Sequence, residues 1–191
     1  MLFRLMLGMF SVCILLFSSL TVAEKLVLTV ASATGEEKGV VIIELNAETA
    51  PLHVERIKRL ANEGQYDGVV FHRVIPGFMA QTGDVEFGNM KKLNMNSVGT
   101  GGSSYDDLQA EFSHLPFVEG VVGMARSRYV HSANSQFFIM TNAHSSLNGQ
   151  YTVIGQVVEG MGVVHQIKKG SRSQNGSVTT PDIIKTAVIT E

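Results

Sequence analysis

The stretch that decides the fold runs Phe71-His72-Arg73-Val74-Ile75-Pro76-Gly77-Phe78-Met79-Ala80-Gln81. Short apolar runs flank the Pro-Gly pair, which is typical of tight turns, so the stretch predicts a strand, a turn and a second strand. Because side chains alternate between the two faces of a strand, such a hairpin can bring polar and bulky apolar groups to one patch. The side chains expected on that patch are Arg73, Phe78, Met79 and Gln81.

A second stretch, Ser135-Gln136-Phe137-Phe138-Ile139, extends this interpretation. On a strand, Gln136 and Phe138 would lie on the same face. Small groups and another arginine precede it in Gly123-Met124-Ala125-Arg126. Together the two stretches predict an apolar pocket edged by a few strong hydrogen-bond donors, as in many small-molecule and peptide sites.

The rest of the chain continues the β pattern in both directions. Short β-branched and apolar runs between turn residues predict seven or eight strands. Helical spacing predicts a helix over residues 50–63, with Thr49 as its cap and Gly64 at its end, and a second one from Met161 to Gly170. Residues 83–107 are rich in Gly, Asn and Ser, which predicts a long irregular loop. We therefore expect a mainly β, antiparallel barrel or sandwich.

The composition is that of one ordinary globular domain. The chain has 191 residues, of which 45% are hydrophobic and 17% charged, and a formal net charge of −2. Basic residues are scattered and outnumbered by acidic ones, which argues against nucleic-acid binding. The single cysteine is Cys13, near the N-terminus, so the rest of the chain has no thiol for disulfides, redox chemistry or nucleophilic catalysis. The histidines show no metal-ligand spacing.

The first 23 residues differ from the rest of the chain. Arg4 supplies a positive start, no charge follows until Glu24, and the apolar run ends in Thr21-Val22-Ala23. This is the pattern of a secretory signal peptide, so we expect residues 1–23 to be cleaved and residues 24–191 to form the mature domain. An uncleaved anchor is the alternative, although nineteen uncharged residues would barely cross a membrane core of about 30 Å. We expect the periplasm of a Gram-negative bacterium and no stable membrane association after cleavage.

Three segments resemble the signature stretches of the cyclophilin family of peptidyl-prolyl cis/trans isomerases: Phe71–Asp84, Gly99–Gly102 and Gly123–Phe138. They follow the family's order and spacing, and the similarity runs from about Lys25 to Ile189, with exported bacterial members the most similar. The resemblance implies a closed eight-stranded antiparallel β-barrel capped by two α-helices. It also implies a substrate groove on the outside of the barrel.

The resemblance implies a role for each candidate site residue. Arg73 matches the family's catalytic arginine. The floor and walls of the proline pocket are implied at Phe78, Met79, Phe138 and Leu147. Contacts with the substrate chain or the edge of the pocket are implied at Gln81, Thr100, Gln136, Tyr151 and the backbone of Ala125 and Arg126.

The chemistry of the family suits these residue types. Resonance gives the Xaa-Pro amide a rotational barrier of about 18–20 kcal/mol. An acceleration of roughly 10⁴- to 10⁵-fold requires only about 6–7 kcal/mol of differential stabilisation. A guanidinium aimed at the prolyl nitrogen can stabilise its lone pair as resonance is lost, while an apolar pocket holds the ring. Since no bond breaks, we expect no cofactor and no metal. We expect a monomer, and we expect its substrates to be proline-containing unfolded or partly folded polypeptides.

Two alternatives to a folding isomerase remain open from the sequence. One is a cyclophilin-fold peptide-binding module or chaperone whose isomerase activity is incidental. The other is an unrelated β-barrel carrier of a small hydrophobic ligand.

Ser146 precedes Leu147 where many cyclophilins carry a tryptophan or another aromatic residue, so we predict weak cyclosporin binding. Tyr151 replaces a histidine found in many members, and it can still line the pocket.

Other residues are interpreted as structural. Phe71, Phe137 and Ile139 are expected in the core, on the strand face opposite Phe138. His72 is interpreted as a packed or hydrogen-bonded histidine, because the reaction transfers no proton. Asn175-Gly176-Ser177 has the form of a glycosylation sequon, to which we assign no function.

Overall fold

The computed structural model describes residues 23–191, which form nine β-strands and two α-helices. In chain order the strands are β1 (Lys25–Ala31), β2 (Glu37–Leu45), β3 (Val69–Val70), β4 (Arg73–Ile75), β5 (Met79–Thr82), β6 (Val121–Met124), β7 (Phe137–Met140), β8 (Val153–Glu159) and β9 (Ile183–Thr190). The helices are α1 (Pro51–Asn62) and α2 (Met161–Gln166). The predicted mainly β class is confirmed.

The nine strands form one antiparallel sheet in the order β3-β9-β1-β2-β8-β6-β7-β5-β4. Its two edges, β3 and β4, are separated along the chain only by residues 71–72, so the sheet curls round until its edges meet. A C-terminal segment lies against β4, where the Val74 N–H donates to the Gly176 carbonyl at 2.8 Å. The expected closed barrel of eight strands thus differs in detail: the chain leaves the ladder at residues 71–72, and a curled sheet of nine strands results.

Helix α1 covers the core beside β9. Val54, Ile57 and Leu60 recur at helical spacing and are almost fully buried. The helix ends where Gly64 adopts a left-handed φ of 66° and donates its N–H to the Ala61 carbonyl. This confirms the predicted end, since glycine adopts such a φ at no steric cost.

The N-terminus of α1 is capped by a residue from a distant loop. One carboxylate, that of Glu111, accepts the backbone N–H groups of Leu52 and His53, both at 3.1 Å. The predicted cap at Thr49 is wrong, because its hydroxyl donates instead to the Asn46 carbonyl. A carboxylate at this position satisfies free donors and complements the helix dipole.

The loop predicted over residues 83–107 is irregular apart from a short 3₁₀ turn at Met90–Lys92. It is organised around the buried carboxylate of Asp84. Backbone N–H groups that donate to this carboxylate at 2.7–3.1 Å belong to Glu86, Phe87, Gly99 and Gly101. By contrast, α2 ends at Gln166, earlier than predicted, because Ile167 is already extended with ψ of 135°.

The core fills the interior of the curled sheet. Phe71, Phe137 and Ile139 are fully buried there, as predicted. The expected signal peptide lies outside the described residues except for Ala23. Within residues 23–191, no helix is both long and apolar enough to cross a membrane.

Candidate functional site

Nine of the eleven candidate residues line one cavity of about 160 Å³. We call it the Arg73 cavity, and its lining consists of Arg73, Phe78, Met79, Gln81, Ala125, Arg126, Phe138, Leu147 and Tyr151. Thr100 and Gln136 instead line a neighbouring cavity of about 490 Å³, the Thr100 cavity. The two cavities share Gln81, Ala125 and Arg126, so the candidate residues form one continuous surface. A larger cavity of about 580 Å³ lies elsewhere, and its described lining contains none of the candidates.

Strand pairing brings the two decisive stretches of sequence together. Strand β5 pairs with β4 on one side and with β7 on the other, which places Gln81 opposite both Arg73 and Phe138. The β4–β5 hairpin turns at residues 76–78, as the Pro76-Gly77 pair predicts. Residues about 65 positions apart therefore meet because their strands share β5 as a neighbour.

Aromatic packing holds the floor of the Arg73 cavity. Phe138 is only 5% exposed; its ring stacks on Phe117 at 5.8 Å and meets Tyr151 edge-on at 5.7 Å. This packing explains why position 123 is a glycine, because a Cβ there would lie 2.7 Å from ring atoms of both Phe117 and Phe138. These contacts fix the floor in one orientation.

The wall of the Arg73 cavity is more open than its floor. Leu147 lies at the end of a short 3₁₀ turn, Ser145–Leu147, in which Ser146 is exposed. Arg126, which also lines the cavity, lies over the Tyr151 ring at 4.6 Å. Phe78 packs against the His144 ring, with centroids 4.5 Å apart.

Arg73 is held by neutral acceptors. Its Nη1 donates to Gln81 Oε1 at 3.1 Å and approaches the Met79 sulfur at 3.9 Å. Its Nε and Nη2 donate to the carbonyl and Oδ1 of Asn175, each at 3.0 Å. Partial burial lowers the pKa of Arg73 from its usual value, yet a guanidinium stays protonated at neutral pH. Among residues 23–191, no carboxylate forms an ion pair with it.

Two successive hydrogen bonds of side-chain amides connect the two cavities. Gln81 Nε2 donates to Gln136 Oε1 at 3.0 Å, and Gln136 Nε2 donates to the Gly101 carbonyl at 2.8 Å. The loop bearing Gly101 and Thr100 is anchored by Asp84. The backbone N–H of Ala125 donates to the Gln136 carbonyl at 2.9 Å, so this donor is occupied within the fold.

Three residues of the site were not predicted from the sequence. Phe117 supports the floor, Asp84 anchors the Thr100 loop, and Asn175 binds Arg73. Only the sequon singled out Asn175, and it pointed to a different chemistry. Within the described part of the chain, no group of three or more His, Cys, Asp and Glu side chains is arranged to hold a metal ion.

Comparison with known proteins decides the family. A family model described as cyclophilin type peptidyl-prolyl cis-trans isomerase/CLD matches residues 29–189. The chain belongs to the cyclophilin family. Its activity is therefore that of an enzyme, a peptidyl-prolyl cis/trans isomerase, whose substrates are proline-containing polypeptides.

Individual relatives agree with this assignment. A probable peptidyl-prolyl cis-trans isomerase of Brucella suis biovar 1 (strain 1330) is 62% identical over 152 residues, or 79% of this chain and 78% of the relative. Peptidyl-prolyl cis-trans isomerase B of Bacillus subtilis (strain 168) is 36% identical over 137 residues, 71% of this chain and 87% of the relative. The crystal structure of cyclophilin AquaCyp293 from Hirschia baltica superposes with a TM-score of 0.69 at 26% identity, covering 86% of this chain and 73% of that one.

Proposed function

We propose that this cyclophilin isomerises Xaa-Pro bonds in the Arg73 cavity, with the proline ring on the Phe138 floor and Arg73 as the catalytic group. The observation that carries the proposal is the Arg73 guanidinium, which has no ion-pair partner in residues 23–191 and lines the same cavity as the apolar side chains of Met79 and Phe138. Hydrogen bonds to neutral oxygens orient this cation and leave its charge in place.

The mechanism follows from the electronic change during rotation. In the planar amide the nitrogen lone pair is delocalised into the carbonyl, and in the twisted state it is localised on nitrogen. A guanidinium N–H directed at that nitrogen interacts more strongly with the localised pair, so it stabilises the twisted state more than the planar one. Partial burial of Arg73 strengthens this interaction, because fewer water molecules screen the charge.

A polypeptide substrate has room to extend beyond the Arg73 cavity. The Thr100 cavity adjoins it through Gln81, Ala125 and Arg126, and the amides of Gln81 and Gln136 line the passage. We expect the proline to occupy the first cavity and neighbouring residues of the substrate chain to lie along the second. When the substrate chain is anchored on one side of the Xaa-Pro bond, the other side can rotate in place.

Proline-peptide isomerisation by the purified protein, compared with Arg73→Ala and Arg73→Lys, tests the catalytic role. We expect kcat/KM to fall about 100-fold for Arg73→Ala and at least about tenfold for Arg73→Lys, because lysine lacks the planar fork. Arg128→Ala is the matched control, since Arg128 lines neither cavity and is exposed. Activity of Arg73→Ala equal to that of the control would refute the role.

We further propose that the enzyme assists the folding of exported proteins in the periplasm. The support is the signal-peptide pattern of residues 1–23. Mass spectrometry of the protein isolated from its host should find Glu24 as the N-terminus, and cell fractionation should find it with periplasmic markers. An intact Met1 would contradict the cleavage, and recovery with the cytosol would contradict the compartment.

A further inference from the structure

The catalytic guanidinium proposed above is held mainly by one residue. Asn175 accepts from Arg73 twice, through its backbone carbonyl to Nε and through Oδ1 to Nη2, each at 3.0 Å. The two residues are 102 positions apart in the chain. We propose that Asn175 is a positioning residue for the isomerase reaction, acting through Arg73; the proposal rests on the catalytic role of Arg73.

The backbone at Asn175 makes this double contact possible. It adopts a left-handed φ of 53°, the one positive φ among the described non-glycine residues, and Asn is among the few residue types that tolerate it. Gly176 follows with φ of 78°, and a Cβ there would overlap with the side chain of Ile75 in β4. The turn therefore lies directly against the strand that carries Arg73.

Backbone hydrogen bonds fix the turn to β4. The Val74 N–H donates to the Gly176 carbonyl at 2.8 Å, and the Gly170 N–H donates to the Val74 carbonyl at 2.9 Å. The Gly176 N–H in turn donates to Ser171 at 2.8 Å. The acceptors on Asn175 are thus held in a fixed place relative to Arg73, which limits the orientations open to the guanidinium.

The neutrality of Asn175 is as important as its position. A guanidinium has five N–H donors; Asn175 takes two and Gln81 takes one, which leaves two N–H groups, one on each Nη, of which Nη1 also lies near the Met79 sulfur. A carboxylate in place of the Asn175 amide would hold Arg73 equally well but would offset the positive charge that the reaction uses. Orientation and charge can therefore be separated by substitution.

Asn175→Gly removes the side-chain acceptor and retains both the left-handed backbone and the carbonyl. We expect kcat/KM for a proline peptide to fall about tenfold, as for loss of one hydrogen bond, with peptide affinity changed less than about twofold. The matched control is Gln174→Ala, from the same exposed turn, which should retain the wild-type rate. In an Arg73→Ala background, Asn175→Gly should cause no further loss, whereas a general structural effect would add to it.

Nuclear magnetic resonance of the Arg73 Nε–H gives a readout independent of activity. Asn175→Gly should lower its order parameter while backbone amides of β4 stay unchanged. Asn175→Asp should keep the order parameter and still lower kcat, because the added carboxylate offsets the charge. Wild-type kcat/KM and order in Asn175→Gly would overturn the positioning role alone, provided that Arg73→Ala is impaired. Full activity of Arg73→Ala would overturn the catalytic role of Arg73 and the positioning role with it.

Discussion

We predict that His72, next to Arg73 in the chain, makes the stability of the fold dependent on pH. Its side chain is almost fully buried, and neither ring nitrogen has a hydrogen-bond partner among residues 23–191. Burial lowers the pKa of His72 from 6.5 to about 4, because the charged imidazolium cannot be solvated there. We predict that His72→Leu, which has a side chain of similar bulk and no titratable group, removes this dependence.

The sign and size of the effect follow from the two pKa values. Between pH 6.5 and about 4, the unfolded chain binds a proton at His72 that the folded protein does not. The free energy of unfolding therefore falls as the pH falls through this window. The stability that neutral His72 contributes to the folded protein is fully present above the window. At about 1.36 kcal/mol per pH unit, the whole window corresponds to roughly 3 kcal/mol, of which about 2 kcal/mol is lost by pH 5.

Urea unfolding from pH 8 to pH 4.5 measures this contribution as the difference between the wild type and His72→Leu. The difference cancels other titrating groups, including buried His53, whose pKa burial also lowers. By thermal unfolding, about 2 kcal/mol corresponds to a change in Tm of roughly 4–8 °C. Parallel pH dependences of the two proteins would refute the assignment. At neutral pH we expect His72→Leu to remain an active isomerase, since the reaction transfers no proton.

Three further predictions concern the cap of α1 and the Arg73 cavity. Glu111→Ala should lower the free energy of unfolding by about 2 kcal/mol in urea titration, because it frees the N–H groups at the start of α1; an unchanged midpoint would contradict the cap. Phe138→Ala should lower kcat/KM about 10- to 100-fold by removing the apolar floor, and Phe138→Leu should lose less activity than Phe138→Ala. A kcat/KM of Phe138→Ala equal to that of the wild type would count against the floor. Cyclosporin should inhibit weakly, and Ser146→Trp should strengthen inhibition about tenfold or more; nanomolar inhibition of the wild type would contradict this.

The parts of the site that lie within one stretch of sequence were predictable. Alternation along a strand is enough to separate Phe138, in the cavity, from Phe137 and Ile139, in the core. The turn signal at residues 76–77 likewise predicts the hairpin that carries Arg73 and Met79. These inferences need only local geometry, which side-chain type and spacing largely determine.

The parts that depend on distant partners were not predictable in this way. The cap of α1 comes from Glu111, more than fifty residues away, and competes with the local candidate Thr49. Asn175 meets Arg73 only because the sheet curls and brings the C-terminal turn against β4. A side chain that acts on a partner fixed by topology leaves no periodic signal in its own neighbourhood.

Exchange spectroscopy of a bound proline peptide tests the central claim most directly, since it measures cis/trans interconversion on the enzyme separately from binding. Wild type and Arg73→Ala should bind the peptide with Kd values within about threefold of each other. We predict that interconversion on Arg73→Ala is at least about 100-fold slower, because the guanidinium interacts chiefly with the twisted amide. Interconversion at the wild-type rate on Arg73→Ala, or a loss explained wholly by weaker binding, would contradict the account.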